Sequence, residues 1–397
     1  MRSKKNTYFF LSLIIISLAI SPAFALGEGN RNLLLIGMMS VSPLIFIINK
    51  KFYQSDIILL LFMASVVSIP LLFQQESMRW STVLFSLMFC FTFLVYKQLL
   101  YKSYFTTEQY LKLLKIVLYA YTLVLLIQQF CVLTGLPIFN ISSYNPLYPF
   151  KLNSLAAEPS HSGRIIALLM YSYITISELI LKRKYNFKHN LKKDKWVWLA
   201  FLWAMLTMGS ATAIVFTAIV LLKFVNIKRL IPIAIIIVSA IYIVNFSDIY
   251  VVNRASKMFI ATLTLDTDAM IAADHSGSIR LAPAIMLAKM VDITSLEGWF
   301  GHGIDSVSTF MSDLIPGVPE GFSAGGMFQL WYEYGFLSFI LFVAFSFLAV
   351  FKKNDYLNIV FWFMLVFMYG VNGQIVWLCI LLLFTNKFFF KKLNHGN

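Results

Sequence analysis

Residues 196–222 read WVWLAFLWAMLTMGSATAIVFTAIVLL, an apolar run of 27 residues with basic segments on both sides, Lys182 to Lys195 before it and Lys223 to Arg229 after it. As a single helix the run would measure about 40 Å; as two halves, about 20 Å each. Clustered Lys and Arg residues hold the ends of membrane helices on the cytoplasmic side. With both flanks basic, the run crosses the bilayer twice or not at all. A short helical hairpin breaking near Gly209-Ser210 follows. Half-length helices with a polar tip survive in a membrane only where protein or a water-filled cavity covers them, so the tip, with Ser210, is expected to line a site.

The same logic extends outward along the chain. It has 397 residues, of which 59% are hydrophobic and only 13% charged, and a mean hydropathy of +0.78, which excludes an ordinary soluble domain with about 25% charged residues. The fold class expected is an all-α polytopic membrane protein. Spans are read at 7–26, 32–49, 56–73, 80–96, 113–135, 162–181, the hairpin within 196–222, 230–246, 325–350, 355–370 and 372–386, about twelve in all when the hairpin counts as two. Both termini then lie on the cytoplasmic side. The N-terminal run followed by Ser21-Pro22-Ala23-Phe24-Ala25 imitates a cleavable signal, but with so many spans after it an uncleaved signal anchor is the reading taken.

Charge supports this arrangement. Of 32 basic residues, 24 fall in the N-terminal group and in the clusters between spans, giving the cytoplasmic side a net +19 and the outer side −5. The overall +14 is therefore an orientation signal, and nucleic acid is not expected as a partner. Cys90, Cys131 and Cys379 all lie inside apolar runs, with neither disulfide nor metal-ligand spacing; no metal and no cofactor is expected.

Three domains of the chain are distinguished. Residues 1–246 are N-terminal spans with an outer loop at 136–161, residues 247–322 form one large extracytoplasmic loop, and residues 323–397 are C-terminal spans. Chemistry on polar substrates is expected in the loops. Glu158-Pro159-Ser160-His161-Ser162-Gly163-Arg164 places a carboxylate, an imidazole and a guanidinium at the entrance of a span, where burial in lipid would be costly. The bland alternative is a solvated cap with Ser160 or Ser162 at the N-terminus, which explains neither His161 nor Arg164.

The large loop carries nine acidic residues against four basic ones, so useful positive charge in it is local, at Arg280 and Arg254. An arginine fork suits phosphate oxygens. Gly301 and Gly303, around His302, permit a tight turn and close approach of backbone to a ligand. Trp331, Tyr332 and Tyr334 read either as a stacking platform for sugar or as an interfacial aromatic belt, the commoner arrangement. Two acids stand inside apolar runs: Glu178, explained by snorkelling towards Lys182, and Glu333, which has no basic neighbour in sequence.

Taken in order, Glu158-Pro159-Ser160 before a span, the hairpin with Gly209-Ser210, the late loop with Arg280 followed by Gly301-x-Gly303, and a span entrance ending in Tyr334-Gly335 resemble the bacterial O-antigen polymerase (Wzy-type) family and, more distantly, the O-antigen ligases. The resemblance covers most of residues 155 to 345. Ligases carry a His-Asn pair where this chain has Ala324-Gly325, which favours the polymerase. Ser210 is followed by Ala211 where the family often has Arg, and His302 occupies a position at which the family accepts many residues.

The resemblance implies a metal-independent glycosyltransferase of the bacterial cytoplasmic (inner) membrane, active on its outer side. A growing glycan would pass from undecaprenyl pyrophosphate onto a second lipid-linked repeat unit, in O-antigen or capsule assembly. Glu158 and then His161 are the expected general bases. Arg164, Arg280 and Arg254, with Ser210, Gly301 and Gly303, are the expected pyrophosphate-binding residues. A chain-length regulator and a flippase are implied partners. The competing class is a transporter such as a lipid-linked oligosaccharide flippase, whose site would lie near the bilayer midplane; a membrane acyltransferase is a third reading, for which this chain lacks a convincing intramembrane His.

Overall fold

The computed structural model describes residues 2–20, 33–49, 51–141, 144–183, 185, 192–225 and 250–394. The expected span at 230–246, the outer loop at 27–31 and the cleavage-like stretch after Ser21 lie outside the described residues. Among those residues the protein is built of sixteen α-helices. In chain order, α1 is Arg2–Ala19, α2 Leu33–Asn49, α3 Ile57–Phe73, α4 Trp80–Lys102, α5 Thr107–Thr134, α6 Pro159–Leu181, α7 Lys195–Thr207 and α8 Ala211–Leu221. Then follow α9 Tyr250–Leu263, α10 Thr267–Ala273, α11 His275–Met290, α12 Leu296–Phe300, α13 Val307–Leu314, α14 Met327–Val350, α15 Tyr356–Trp362 and α16 Gln374–Asn394. Six helical segments, Gln54–Phe73, Trp80–Lys102, Thr107–Thr134, Pro159–Leu181, Met327–Val350 and Gln374–Leu393, are long and apolar enough to cross a membrane. Five further apolar helices, among them Lys195–Thr207 and Ala211–Phe224, are shorter.

At the centre stand α6 and α16. Every residue from Ser162 to Ser177 on α6 is buried, as is every residue from Ile375 to Phe384 on α16, so both helices are enclosed on all sides by other helices. Their few polar groups find partners across the bundle. Asn386 donates to Ser172 (3.1 Å), and the Tyr171 hydroxyl donates to Asn358 (2.7 Å). The outer helices behave oppositely: Leu61 on α3, Leu123 and Phe130 on α5, and Leu206 on α7 are all exposed, as a lipid-facing surface requires.

The run at 196–222 folds as α7 and α8 with the break at Met208 to Ser210, where Gly209 adopts φ +67°. Its two outer ends meet: Trp198 at the start of α7 lies 5.8 Å from Phe224 just past α8. Thirteen and eleven residues give arms of roughly 20 and 17 Å.

Residues 250–322 carry five helices, and α11 and α13 share a small core of Ala282, Leu287, Val307, Met311 and Ile315. This cap sits over one end of the bundle and is fixed there by a break in α14. Gly335 takes a non-helical φ of 84° and ψ of 168° inside that helix, which frees carbonyls in the preceding turn. The cap and α3 supply the missing donors: the His302 N–H donates to Tyr332 O (2.8 Å) and Gln74 Nε2 to Glu333 O (2.9 Å). Phe73 and Phe300 stack at 4.0 Å beside this junction, and Arg79 and Thr82 both reach Asp305.

Candidate functional site

The polar residues that open α6 are held by the loop before it. Gln128, Asn140, Asn153 and Ser154 are buried and satisfy one another and the loop backbone. Asn140 Nδ2 donates to Ser154 O (2.7 Å), Ser154 N to Gln128 Oε1 (2.8 Å), and Asn153 Nδ2 to Ala156 O (2.6 Å). Ser162 donates its hydroxyl to Asn153 O. A network with its members paired is rigid, and this one fixes the chain at the point where it enters α6. Glu158 is the N-cap residue, in extended conformation, and Pro159 occupies the first helical position, which suits proline's fixed φ and missing N–H. Neither serine caps the helix: Ser162 is turned to the loop, and Ser160 donates to the Glu158 carboxylate at 3.1 Å. Glu158 itself is exposed.

Four charged or ionisable groups converge here. Arg164, one turn into α6, is 4% exposed, with its guanidinium carbon 4.7 Å from the centroid of the Tyr369 ring. The charges of Arg164, Glu158 and Arg280 all act on His161, and those of Arg280 and Glu158 on Arg164. Arg280 comes from α11 in the cap and is exposed, so one side of the cluster is open. The Nη1 of Arg164 is buried and, among the described residues, has no hydrogen-bond partner. A buried guanidinium donor left unpaired costs about 1–3 kcal/mol or more, a cost that an anionic ligand would remove. Next to it lies the N-terminus of α8. A Cβ on Gly163 would fall 2.8 Å from the Cβ of Ala213 in the first turn of α8, so α6 and α8 begin in close contact.

Tyr369 has no counterpart in the sequence reading. It follows a π-helical turn, Phe363–Phe367, that continues α15, and such turns are frequent at functional sites. In sequence it is one more aromatic at the end of an apolar run. The turn also abuts the start of α14, where a Cβ on Gly326 would lie 2.5 Å from Phe367 O.

Ser210 is the N-cap of α8 and half-buried, with no capping hydrogen bond from its side chain; the adjoining Gly209 packs on the Phe150 and Lys151 backbone, so the hairpin tip touches the loop that presents Glu158. Gly301 and Gly303, at φ +81° and +119°, are brought against the bundle and not towards the arginines. A Cβ on Gly301 would meet Glu333 O at 2.3 Å, and one on Gly303 would meet Ser77 Oγ at 2.6 Å. Their freedom serves the docking of the cap. Arg254 belongs to α9, with its side chain outside what the structure describes. Glu333 is also explained by docking: its buried carboxylate accepts from Gln329 (3.1 Å) and lies against the backbone amides of Val307 and Asp305 at the start of α13. Glu178 pairs with Lys223 (3.4 Å), not with Lys182.

No family model, curated protein or solved structure matches this chain. The site's chemistry therefore rests on its own geometry: a buried, incompletely paired arginine, a second arginine above it, and a carboxylate and an imidazole beside them.

Proposed function

We propose that the chain is a polysaccharide repeat-unit polymerase that transfers a growing glycan from undecaprenyl pyrophosphate onto a lipid-linked repeat unit at the outer face of the bacterial cytoplasmic membrane, in O-antigen or capsule assembly. The observation that carries this reading is the unpaired donor of Arg164 within a cluster that also holds Glu158, His161 and Arg280. The acceptor hydroxyl gives its proton to Glu158, with His161 as the alternative base, and its oxygen forms the new bond to the anomeric carbon. The bond from that carbon to the pyrophosphate oxygen breaks, and the electron pair leaves with the lipid pyrophosphate. Arg164 and Arg280 meet the charge that develops there; preorganised donors of this kind contribute roughly 10²–10³ in rate apiece. Charges gathered at the helix ends beneath a cap, with the hairpin tip alongside, suit transfer between two lipid-linked substrates better than passage of one across the bilayer.

The reading is tested in a strain lacking the native gene and supplied with Glu158→Ala or Arg280→Ala, after membrane levels are matched to the parent. Surface polysaccharide should collapse from a ladder to single capped repeat units. A full ladder from both variants would overturn the assignment.

A further inference from the structure

At the opposite end of the bundle a cavity of ≈ 210 Å³ opens between α3, α4, α14 and α16. Its walls are mostly apolar, with Phe93, Phe384, Phe388 and Leu348 among them, and the 54% exposure of Leu348 shows that the groove reaches the outer surface of the bundle. Its mouth is basic. Lys387 and Lys391 lie four residues apart on α16, hence on one face, and the charge of Lys391 acts on Lys387. Like charges in this register oppose helix stability. No acidic side chain lines the cavity among the described residues; Asp56, behind Lys97, is already paired with it.

Ordinary snorkelling does not account for this pair. A snorkelling lysine carries its ammonium outward to water, whereas the half-buried Lys387 donates to the Leu348 carbonyl (2.5 Å), one of the last-turn carbonyls that α14 leaves unpaired. Among the described residues, two of its three donors stay available to a further acceptor.

We infer that this cavity binds an anionic phospholipid, its phosphate held between Lys387 and Lys391 and one acyl chain laid along Phe93, Phe384 and Leu348. A neutral lipid would fill the walls and leave the lysines in mutual repulsion. Free phosphate would pair the lysines and leave the groove unfilled. The positive-inside rule puts this end at the cytoplasmic leaflet, where anionic lipids are found and each nearby lysine strengthens binding roughly fivefold.

The test uses the full chain purified in an uncharged detergent and offered mixed micelles of phosphatidylglycerol or phosphatidylcholine with matched acyl chains, with bound lipid counted by native mass spectrometry. Phosphatidylglycerol should be retained in preference to phosphatidylcholine and should resist competition by inorganic phosphate. Lys391→Gln should weaken retention roughly fivefold, and Lys387→Gln with Lys391→Gln about thirtyfold. Ala349→Phe, which fills the groove and keeps both charges, should abolish it. Thermal unfolding without lipid identifies any variant that fails for want of folding, and Lys391, being exposed, is the variant least subject to that failure. Equal retention of the two lipids, full displacement by inorganic phosphate, or unchanged retention by a folded double variant would overturn the inference.

Discussion

Two clusters of charge sit at the two ends of α6, and they are solved in opposite ways. At its C-terminal end Lys223 lies between Glu178 (3.4 Å) and Asp355 (3.3 Å), and Lys352 adds a second bond to Asp355 (3.5 Å). Tyr185 N donates to Glu178 at 3.0 Å. That set joins the end of α6, the foot of the hairpin and the start of α15, and its charges answer one another. At the N-terminal end two arginines meet one carboxylate, and the more buried of them keeps an unpaired donor. Self-sufficient charge is a clamp. Charge left incomplete in a buried place fits a ligand.

Substitutions on each side should therefore separate activity from stability. Arg164→Met is expected to show the largest effect, a loss of roughly 10²–10³ in glycan elongation with little change in the unfolding temperature, because losing the cation–π contact with Tyr369 is offset by removing a buried donor that has no partner among the described residues. Asp355→Asn should do the reverse. Breaking a buried pair from one side costs about 3–5 kcal/mol, so membrane levels should drop while the protein that survives elongates at the normal rate per molecule. Quantitative blotting beside an elongation assay reads both. A clamp variant that is abundant but inactive, or an Arg164 variant that is merely scarce, would erase the distinction.

Smaller effects sharpen it. Gly335→Ala would put a Cβ 2.0 Å from Trp299 O at φ +84°, a strain of about 1–3 kcal/mol that should loosen the cap; protease sensitivity in residues 250–322 should rise before the bundle melts. Tyr369→Leu removes a desolvated cation–π contact of about 2 kcal/mol and should lower elongation by roughly tenfold or more, while Tyr369→Phe should retain most activity. Least of all, burial lowers the Lys352 ammonium below its ordinary value, with Asp355 opposing. The folded state then holds that proton less tightly than the unfolded one, so stability should rise with pH just below the usual lysine range, and the slope should disappear in Lys352→Met.

Much of the helical framework is legible in the chain because apolar length and basic punctuation are local signals. The break in residues 196–222 is marked by Gly209 and Ser210, and the α6 entrance by Glu158 and Arg164, charges that could not be left in lipid. What the sequence conceals is partnership. Glu333 lacks a basic neighbour because its partners are Gln329 and the amides at the start of α13, and Glu178 passes over the nearby Lys182 for Lys223. Gly301 and Gly303 announce close approach without saying to what, and the structure brings them to Glu333 and Ser77. Tyr369 is set in place by a π-helical turn that no residue pattern specifies. The helices of residues 250–314 lie in a stretch whose polar composition reads equally well as loop, apart from the amphipathic run that begins at Arg280.

The central claim is that the N-terminal end of α6 grips a pyrophosphate leaving group. Its most direct test is elongation of lipid-linked repeat units by the purified protein in liposomes, without any ion gradient, comparing the parent with Arg164→Met. The parent should build a ladder and the variant should leave single units, with lipid pyrophosphate released only by the parent. Equal ladders from the two proteins would contradict the account.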